Sequence, residues 1–222
     1  DILVQLARTR NIEEHGKLIG HQLVDVALRV LPVRPYAVRR MMQILMETGT
    51  QQQEYSNPSS SNNTGSNNNA GNGRGHHVMP EILPSASWIV GEYSNLISEA
   101  IILDEDLEED EHDVLLEYDE NSKGTYHAVI QSLTAPAHTQ TLEASTQSVY
   151  VQACVKVLAA ASINTNVSNE ELEACLETLE MNLPFYMESM DVEVQERAFT
   201  NYMLLQSLEL LTGGNQQTNS VP

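Results

Sequence analysis

Residues 183–199 read LPFYMESMDVEVQERAF and predict a tight turn between two antiparallel helices. Asp191 can cap the second helix, because its carboxylate can accept hydrogen bonds from the free N–H groups of the first turn. Glu193 follows in that turn, where the helix dipole favours a negative charge. Pro184 bends the first helix or restarts its last turn. A helix, a turn started by Asp and a second helix together are typical of an α-solenoid repeat.

The helix that follows this turn has one apolar face, formed at spacings of four, four, three and three by Val194, Ala198, Tyr202, Leu205 and Leu208. The same periodicity predicts further helices over residues 11–30, 35–48, 80–97 and 147–161, and from Ser168 or Asn169 to Leu183. The helix over 147–161 is apolar on nearly all sides, so we expect it to be the most buried. The sequence therefore predicts an all-α fold, an α-solenoid of HEAT/armadillo-like antiparallel helix pairs.

Two polar stretches divide the chain. Helical repeats are predicted over 1–48, 79–103 and 124–212, within one solenoid domain that is a fragment of a longer chain. Residues 49–78 form an Asn/Ser/Gly-rich insertion that we expect to be disordered, because it cannot bury enough apolar surface to offset its conformational entropy. Residues 104–123 form an acidic flexible loop, and 213–222 a polar tail. The acidic stretch fails as a calcium loop, since Glu109 and Leu115 occupy the positions that need Gly and Glu.

Charge is unevenly distributed along the sequence. The net charge is −20, which disfavours binding to nucleic acid, yet seven of the eleven Lys and Arg residues lie in 1–49. Arg34, Arg39 and Arg40 belong to this basic end. They either dock an acidic partner or form a solvated helix face, with Arg39 and Arg40 expected to point outward.

No constellation of residues points to catalysis, so no catalytic, cofactor-binding or metal-binding residue is predicted and the chain is not expected to be an enzyme. Cys154 and Cys175 lie in apolar helical patterns without metal-ligand spacing, and we expect buried, reduced thiols. Trp88 is interpreted as a core anchor. Gly91 interrupts a helical pattern, and close approach by a neighbouring helix would explain it.

Three segments resemble the trunk of the adaptin large-chain family: GKLIGHQLVDVALRVLPVRPYAV at 16–38, SASWIVGEYSNLI at 85–97, and the opening stretch at 183–199. The first segment favours the delta type of the third adaptor-protein complex. The resemblance covers nearly all of the chain outside the two polar stretches, and it implies the later half of a solenoid trunk. No site residue is carried over from the family.

The resemblance also implies a function. It implies a non-enzymatic scaffold subunit, without cofactors, of a heterotetramer with a beta-type adaptin, a medium chain and a small chain. Such a complex is cytoplasmic and peripheral on Golgi and endosomal membranes, and sorts cargo toward the lysosome or vacuole. Cargo tails and a small GTPase would be met by other parts of the complex. Another HEAT-type scaffold, such as a nuclear-transport receptor or a phosphatase scaffold, is the alternative.

Overall fold

The computed structural model describes residues 15–56, 79–100 and 123–211, and these residues contain helices and turns but no strand. The predicted all-α fold is confirmed. Short 3-10 turns lie at Leu31–Val33, Pro80–Ile82 and Ser94–Leu96. The α-helices are α1 (Gly16–Arg29), α2 (Arg34–Ser56), α3 (Leu83–Glu92), α4 (Thr125–Thr134), α5 (His138–Thr141), α6 (Ala144–Ile163), α7 (Asn169–Met187) and α8 (Val192–Ser207).

The long helices pack in two layers. In one layer α1 lies beside α3, α3 beside α6, and α6 beside α8. In the other layer α2 lies beside α4, and α4 beside α7. Contacts of α3 with α2, of α6 with α4, and of α8 with α7 join the two layers. This alternation along the chain is the arrangement of an α-solenoid.

The core runs between the two layers and centres on α6. Tyr150, Val151, Cys154 and Val157 on this helix are at most 1% exposed. Because α3 and α8 cover its two flanks while α4 and α7 cover its inner side, α6 has little need for a polar face. The prediction that this helix would be the most enclosed is consistent with these contacts.

Gly91 marks the closest approach between α3 and α6. A Cβ atom at this position would lie 2.9 Å from the Cβ of Ala153. The predicted reason for a glycine in this helix is thus confirmed. Trp88 packs partly buried against the core and meets the Tyr93 ring edge-on, with centroids 6.2 Å apart.

Several helix boundaries differ from the sequence predictions. Helix α2 continues to Ser56, past the end expected at residue 48, because the added segment contains three consecutive Gln residues and a Glu, which favour helix. No separate helix was predicted over 138–141, where the structure has the short helix α5. Helix α8 ends at Ser207, which leaves Leu208 58% exposed instead of inward. The remaining insertion at 57–78 and the acidic stretch at 104–122 lie outside the described residues.

Candidate interaction surfaces

The turn between α7 and α8 has the geometry that its sequence predicts. One oxygen of the Asp191 carboxylate accepts hydrogen bonds from the backbone N–H groups of Glu193 (3.0 Å) and Val194 (3.1 Å). The Gln195 side chain donates to the Met187 carbonyl, 3.0 Å away, which ties the start of α8 to the end of α7. Asp191 is therefore a helix cap.

Arg197 and Asn201 join α8 to α6. The Arg197 guanidinium pairs with Glu193 one turn earlier and donates to the Ser148 carbonyl at 3.1 Å. Asn201, 7% exposed, donates to the Val151 carbonyl at 2.9 Å. Arg197 therefore bridges the two helices, and these bonds orient α8 against α6.

Glu171 has a role that its sequence position did not reveal. Helix α4 begins at Thr125, and the Gly124 that precedes it has no side chain to cap it and has a φ of +154°. The buried Glu171 carboxylate of α7 reaches across instead and accepts from the N–H groups of Tyr126 (2.8 Å) and His127 (3.3 Å). Any side chain at position 124 would clash with this carboxylate.

The sequence signals a different contact for Glu171. Ser168 caps α7 by accepting from the Glu171 N–H at 3.1 Å, so the two residues occupy the Ser and Glu positions of a capping box. In a capping box the Glu carboxylate would bond back to the start of its own helix. Here it caps α4 instead, and only the tertiary packing decides between the two.

Two further polar contacts lie between helices. His127 accepts from the Lys123 N–H at Nδ1, so the ring hydrogen is on Nε2, which lies 3.0 Å from the Thr178 hydroxyl. The Asn164 amide donates to both Ser98 and Tyr126. Each contact satisfies polar groups that would otherwise be costly to bury.

The thiols are buried inside the solenoid. Burial raises the pKa of Cys154 and of Cys175 to about 12. A thiol is nucleophilic mainly as thiolate, so neither cysteine is activated. The buried free thiols that the sequence predicts are confirmed.

His138 is the most strongly perturbed imidazole of the described residues. It is 1% exposed, and its ring meets the Tyr150 ring edge-on at 5.3 Å. Burial lowers the pKa of His138 to about 4. The imidazole is therefore neutral and packed as part of the core at physiological pH.

Arg34 and Arg40 of the basic end form hydrogen bonds within the fold, and Arg39 is buried. Arg34 donates to the carbonyls of Ala27 (2.8 Å) and Leu28 (2.9 Å) at the end of α1, and its guanidinium lies 4.6 Å from the Tyr93 ring centroid. Arg40 donates to Tyr36 and Gln43 on its own helix. Arg39 is only 3% exposed, so the prediction that it points outward is wrong.

A cavity of about 240 Å³ lies where α1, α3 and the start of α6 meet. Its lining carries charges of both signs, from Lys17 on α1 and from Glu81 and Glu143, and it includes the polar ring of His21. No group of three metal-ligating side chains occurs within residues 15–56, 79–100 and 123–211. None of the helices described is both long and apolar enough to cross a membrane.

Exposed apolar residues concentrate at the two ends of the helical array. At the first end they are Leu18, Leu28, Val30 and Leu31, and Ile163, the last residue of α6, is exposed as well. At the last end they are Met181, Phe185, Met190, Val192, Phe199, Met203, Leu204, Leu208 and Leu210. Apart from Leu208, which was expected to face inward, the sequence predictions gave the second group no role, because a search for inward-facing periodicity ignores apolar residues on the opposite face.

Two layers of antiparallel helices, joined by side chains that cap and bridge their neighbours, define the described residues as an α-solenoid. No protein-family model matches it. The chain is 29% identical over 216 residues to the AP-3 complex subunit delta-1 of Bos taurus, covering 95% of this chain and 14% of that relative. It is 26% identical over 247 residues to the AP-3 complex subunit delta of Dictyostelium discoideum, covering 100% of this chain and 17% of that relative.

These similarities confirm the resemblance to delta-type adaptins that the three quoted segments carry. They extend along almost the whole chain, including residues outside those segments. The chain spans less than one fifth of the length of either relative.

Proposed function

We propose that this chain is a scaffold segment of the delta-type large subunit of an adaptor complex that acts in vesicle-mediated protein transport. The observation that carries the proposal is similarity to two AP-3 delta subunits along at least 95% of the chain. The two-layer helical fold supports it, because a solenoid presents extended surfaces to partners.

The finer parts of the proposal concern partners and route. The segment contributes to a heterotetramer with a beta-type adaptin, a medium chain and a small chain. The complex associates peripherally with Golgi and endosomal membranes from the cytoplasm, and sorts cargo toward the lysosome or vacuole. The segment acts by holding surfaces in fixed positions and catalyses no reaction.

Affinity purification of the tagged full-length protein from its own cells tests this proposal. We expect a beta-type adaptin, a medium chain and a small chain to co-purify in near-equal amounts after size-exclusion chromatography. Recovery of phosphatase subunits or of nuclear-transport cargo in their place would assign the chain to another class of helical scaffold. Recovery of none of the three adaptor chains would also overturn the proposal.

The route is tested separately by localisation. The tagged protein should overlap with endosomal or Golgi markers, and its depletion should divert lysosomal or vacuolar membrane proteins to the cell surface. Normal delivery of these proteins after complete depletion would refute the route and leave the complex assignment standing.

A further inference from the structure

The cavity between α1, α3 and the start of α6 has a polar lining that is only partly exposed. Its volume of about 240 Å³ is below the roughly 300–1,000 Å³ of sites for drug-sized ligands, so it suits one long side chain or a molecule of that size. Lys17 and Glu143 in the lining are exposed and form a rim. Glu81 and Ser85 are half-buried and Thr146 is 5% exposed, so these three residues form the floor.

Two glycines of α1 leave room for the Glu81 and Ser85 side chains. A Cβ atom at Gly16 would lie 3.1 Å from Oε2 of Glu81, and one at Gly20 would lie 2.7 Å from Oγ of Ser85. A larger residue at either position would crowd these polar groups. The carboxylate and the hydroxyl are therefore held at the cavity by the packing of α1 against the start of α3.

Three oxygen atoms of the floor have no hydrogen-bond partner among the residues that the structure describes. Oε2 of Glu81 is buried and unbonded. The Ser85 and Thr146 hydroxyls line the same cavity and are likewise unbonded within the described ranges. Glu81 belongs to the 3-10 turn Pro80–Ile82, Ser85 to α3 and Thr146 to α6, so the acceptors come from three elements. Because a buried carboxylate oxygen without a donor is costly, the cavity favours a ligand that donates hydrogen bonds.

The charges of the lining favour a cationic donor. Glu81 and Glu143 carry two negative charges, and Lys17 carries one positive charge. Lys17 is exposed and forms no ion pair within the described part of the chain, so its ammonium group stays in water. Lys17 and the starts of α1, α3 and α6 would also attract an anion, but an anion would bring further acceptors to the unbonded Glu81 oxygen. A cation supplies the missing donor and offsets the negative charge.

A guanidinium group fits these acceptors better than an ammonium group. It presents five N–H donors in one plane, whereas an ammonium group presents three donors around a point. One guanidinium can therefore serve acceptors that belong to three different elements. Guanidinium is also the more weakly hydrated cation, so it loses less when it enters a partly buried cavity.

We propose that this cavity binds a guanidinium group. Oε2 of Glu81 is the charged acceptor, and the hydroxyl oxygens of Ser85 and Thr146 are the neutral ones. The group is the end of an arginine side chain or a small alkylguanidine of similar size, since the exposed rim admits either. This inference goes beyond the proposed function and is independent of it, because no adaptor chain enters the test.

Two small molecules of the same shape test the chemistry. They are n-butylguanidinium and the neutral n-butylurea, each titrated into the isotope-labelled 222-residue chain and followed by two-dimensional NMR. We expect n-butylguanidinium to shift the backbone amides of Glu81, Ser85 and Thr146 saturably at millimolar concentrations, and n-butylurea to bind about tenfold more weakly or less. Equal binding of the two, or no saturable shift with either, would overturn the proposal. Saturable shifts of these amides by inorganic phosphate instead would make the cavity an anion site and would also overturn it.

Variants locate the binding in the cavity. Glu81→Gln removes the charge at nearly constant shape and should weaken binding of n-butylguanidinium about tenfold or more. Thr146→Val removes one acceptor and should weaken it severalfold. Glu196→Gln, at an exposed position on α8 outside the cavity, is the matched control and should bind like the original chain. Circular dichroism checks that each variant is folded. Unchanged binding by folded Glu81→Gln would refute the assignment.

A peptide distinguishes the two sources of the group. The probe is a blocked Gly-Arg-Gly peptide, and its control replaces the arginine by citrulline, which has the same shape and no charge. Binding of the arginine peptide at least as tight as that of n-butylguanidinium would assign the group to a protein side chain, and weaker binding would assign it to a small guanidine. Either result retains the guanidinium site. Equal binding of the arginine and citrulline peptides would refute it.

Discussion

The carboxylate of Glu171 gives the sharpest test of how the repeats hold together. It accepts from two backbone N–H groups at the start of α4, and the residue is 8% exposed. Glu171→Ala removes the acceptor and leaves both N–H groups in a buried position. Gly124 cannot replace it as a cap because it has no side chain.

The expected loss in free energy of unfolding follows from the two backbone N–H groups, of Tyr126 and His127, that lose their acceptor. An unsatisfied buried donor costs about 1–3 kcal/mol, and bonds to a charged acceptor lie at the upper end of the hydrogen-bond range. Partial entry of water reduces the total, so we expect Glu171→Ala to lower the free energy of unfolding by about 3 kcal/mol. Glu171→Gln keeps a side-chain oxygen at the site and loses the charge, so about 1 kcal/mol is expected.

Urea denaturation followed by circular dichroism measures these changes. The matched control is Glu170→Ala, which removes an exposed acid from the same first turn of α7. Its expected cost is about 0.5 kcal/mol, from the helix dipole alone. If Glu171→Ala and Glu170→Ala shifted the unfolding midpoint equally, the cross-helix cap would contribute nothing and the reasoning would be refuted.

Three further predictions concern buried positions. Gly91→Val should destabilise the chain by about 2–3 kcal/mol through overpacking against Ala153, and Ala153→Gly in the same chain should restore more than half of the loss in urea denaturation. Because the pKa of His138 is about 4 in the folded chain and 6.5 in the unfolded reference, the unfolded state binds more protons between these values. The contribution of neutral His138 to the free energy of unfolding should therefore be fully present above pH 6.5. It should fall by about 3 kcal/mol as the pH drops to 4. His138→Gln should show a shallower slope over this window, and an unchanged slope would contradict the assignment. Cys154 and Cys175, with pKa values of about 12, should react with a thiol reagent at pH 8 at least about a hundredfold more slowly in the folded chain than in denaturing urea. Fast labelling of the folded chain would show that the thiols are accessible.

The sequence was sufficient where a local rule and the tertiary packing agree. Asp191 caps α8 as its position predicts, since an N-cap depends only on the next three residues. The all-round apolar pattern of α6 identified the helix with neighbours on both flanks. Gly91 was explained by close approach because no local turn requires it.

The predictions failed where distant residues decide the outcome. Glu171 has a local role available in its own helix, yet its carboxylate binds α4, 45 positions away in sequence. Arg39 was expected outward because arginines seldom lie in a core, and nothing in its neighbourhood signals burial. The end of α2 was placed too early, at residue 48, whereas the Gln-rich segment that follows continues the helix to Ser56.

The directional contacts explain how a solenoid of this composition can act as a scaffold. Apolar packing has no direction and permits neighbouring helices to slide or rotate at low cost. Hydrogen bonds to backbone groups of the adjacent helix fix one register, as Glu171 does for α4 and Asn201 does for α6. Tyr186 adds a third bond of this kind, from its hydroxyl to the Ala135 carbonyl at 3.0 Å. Because all three side chains belong to α7 and α8, this helix pair is tied to the preceding repeats at several points and is held in one orientation relative to them.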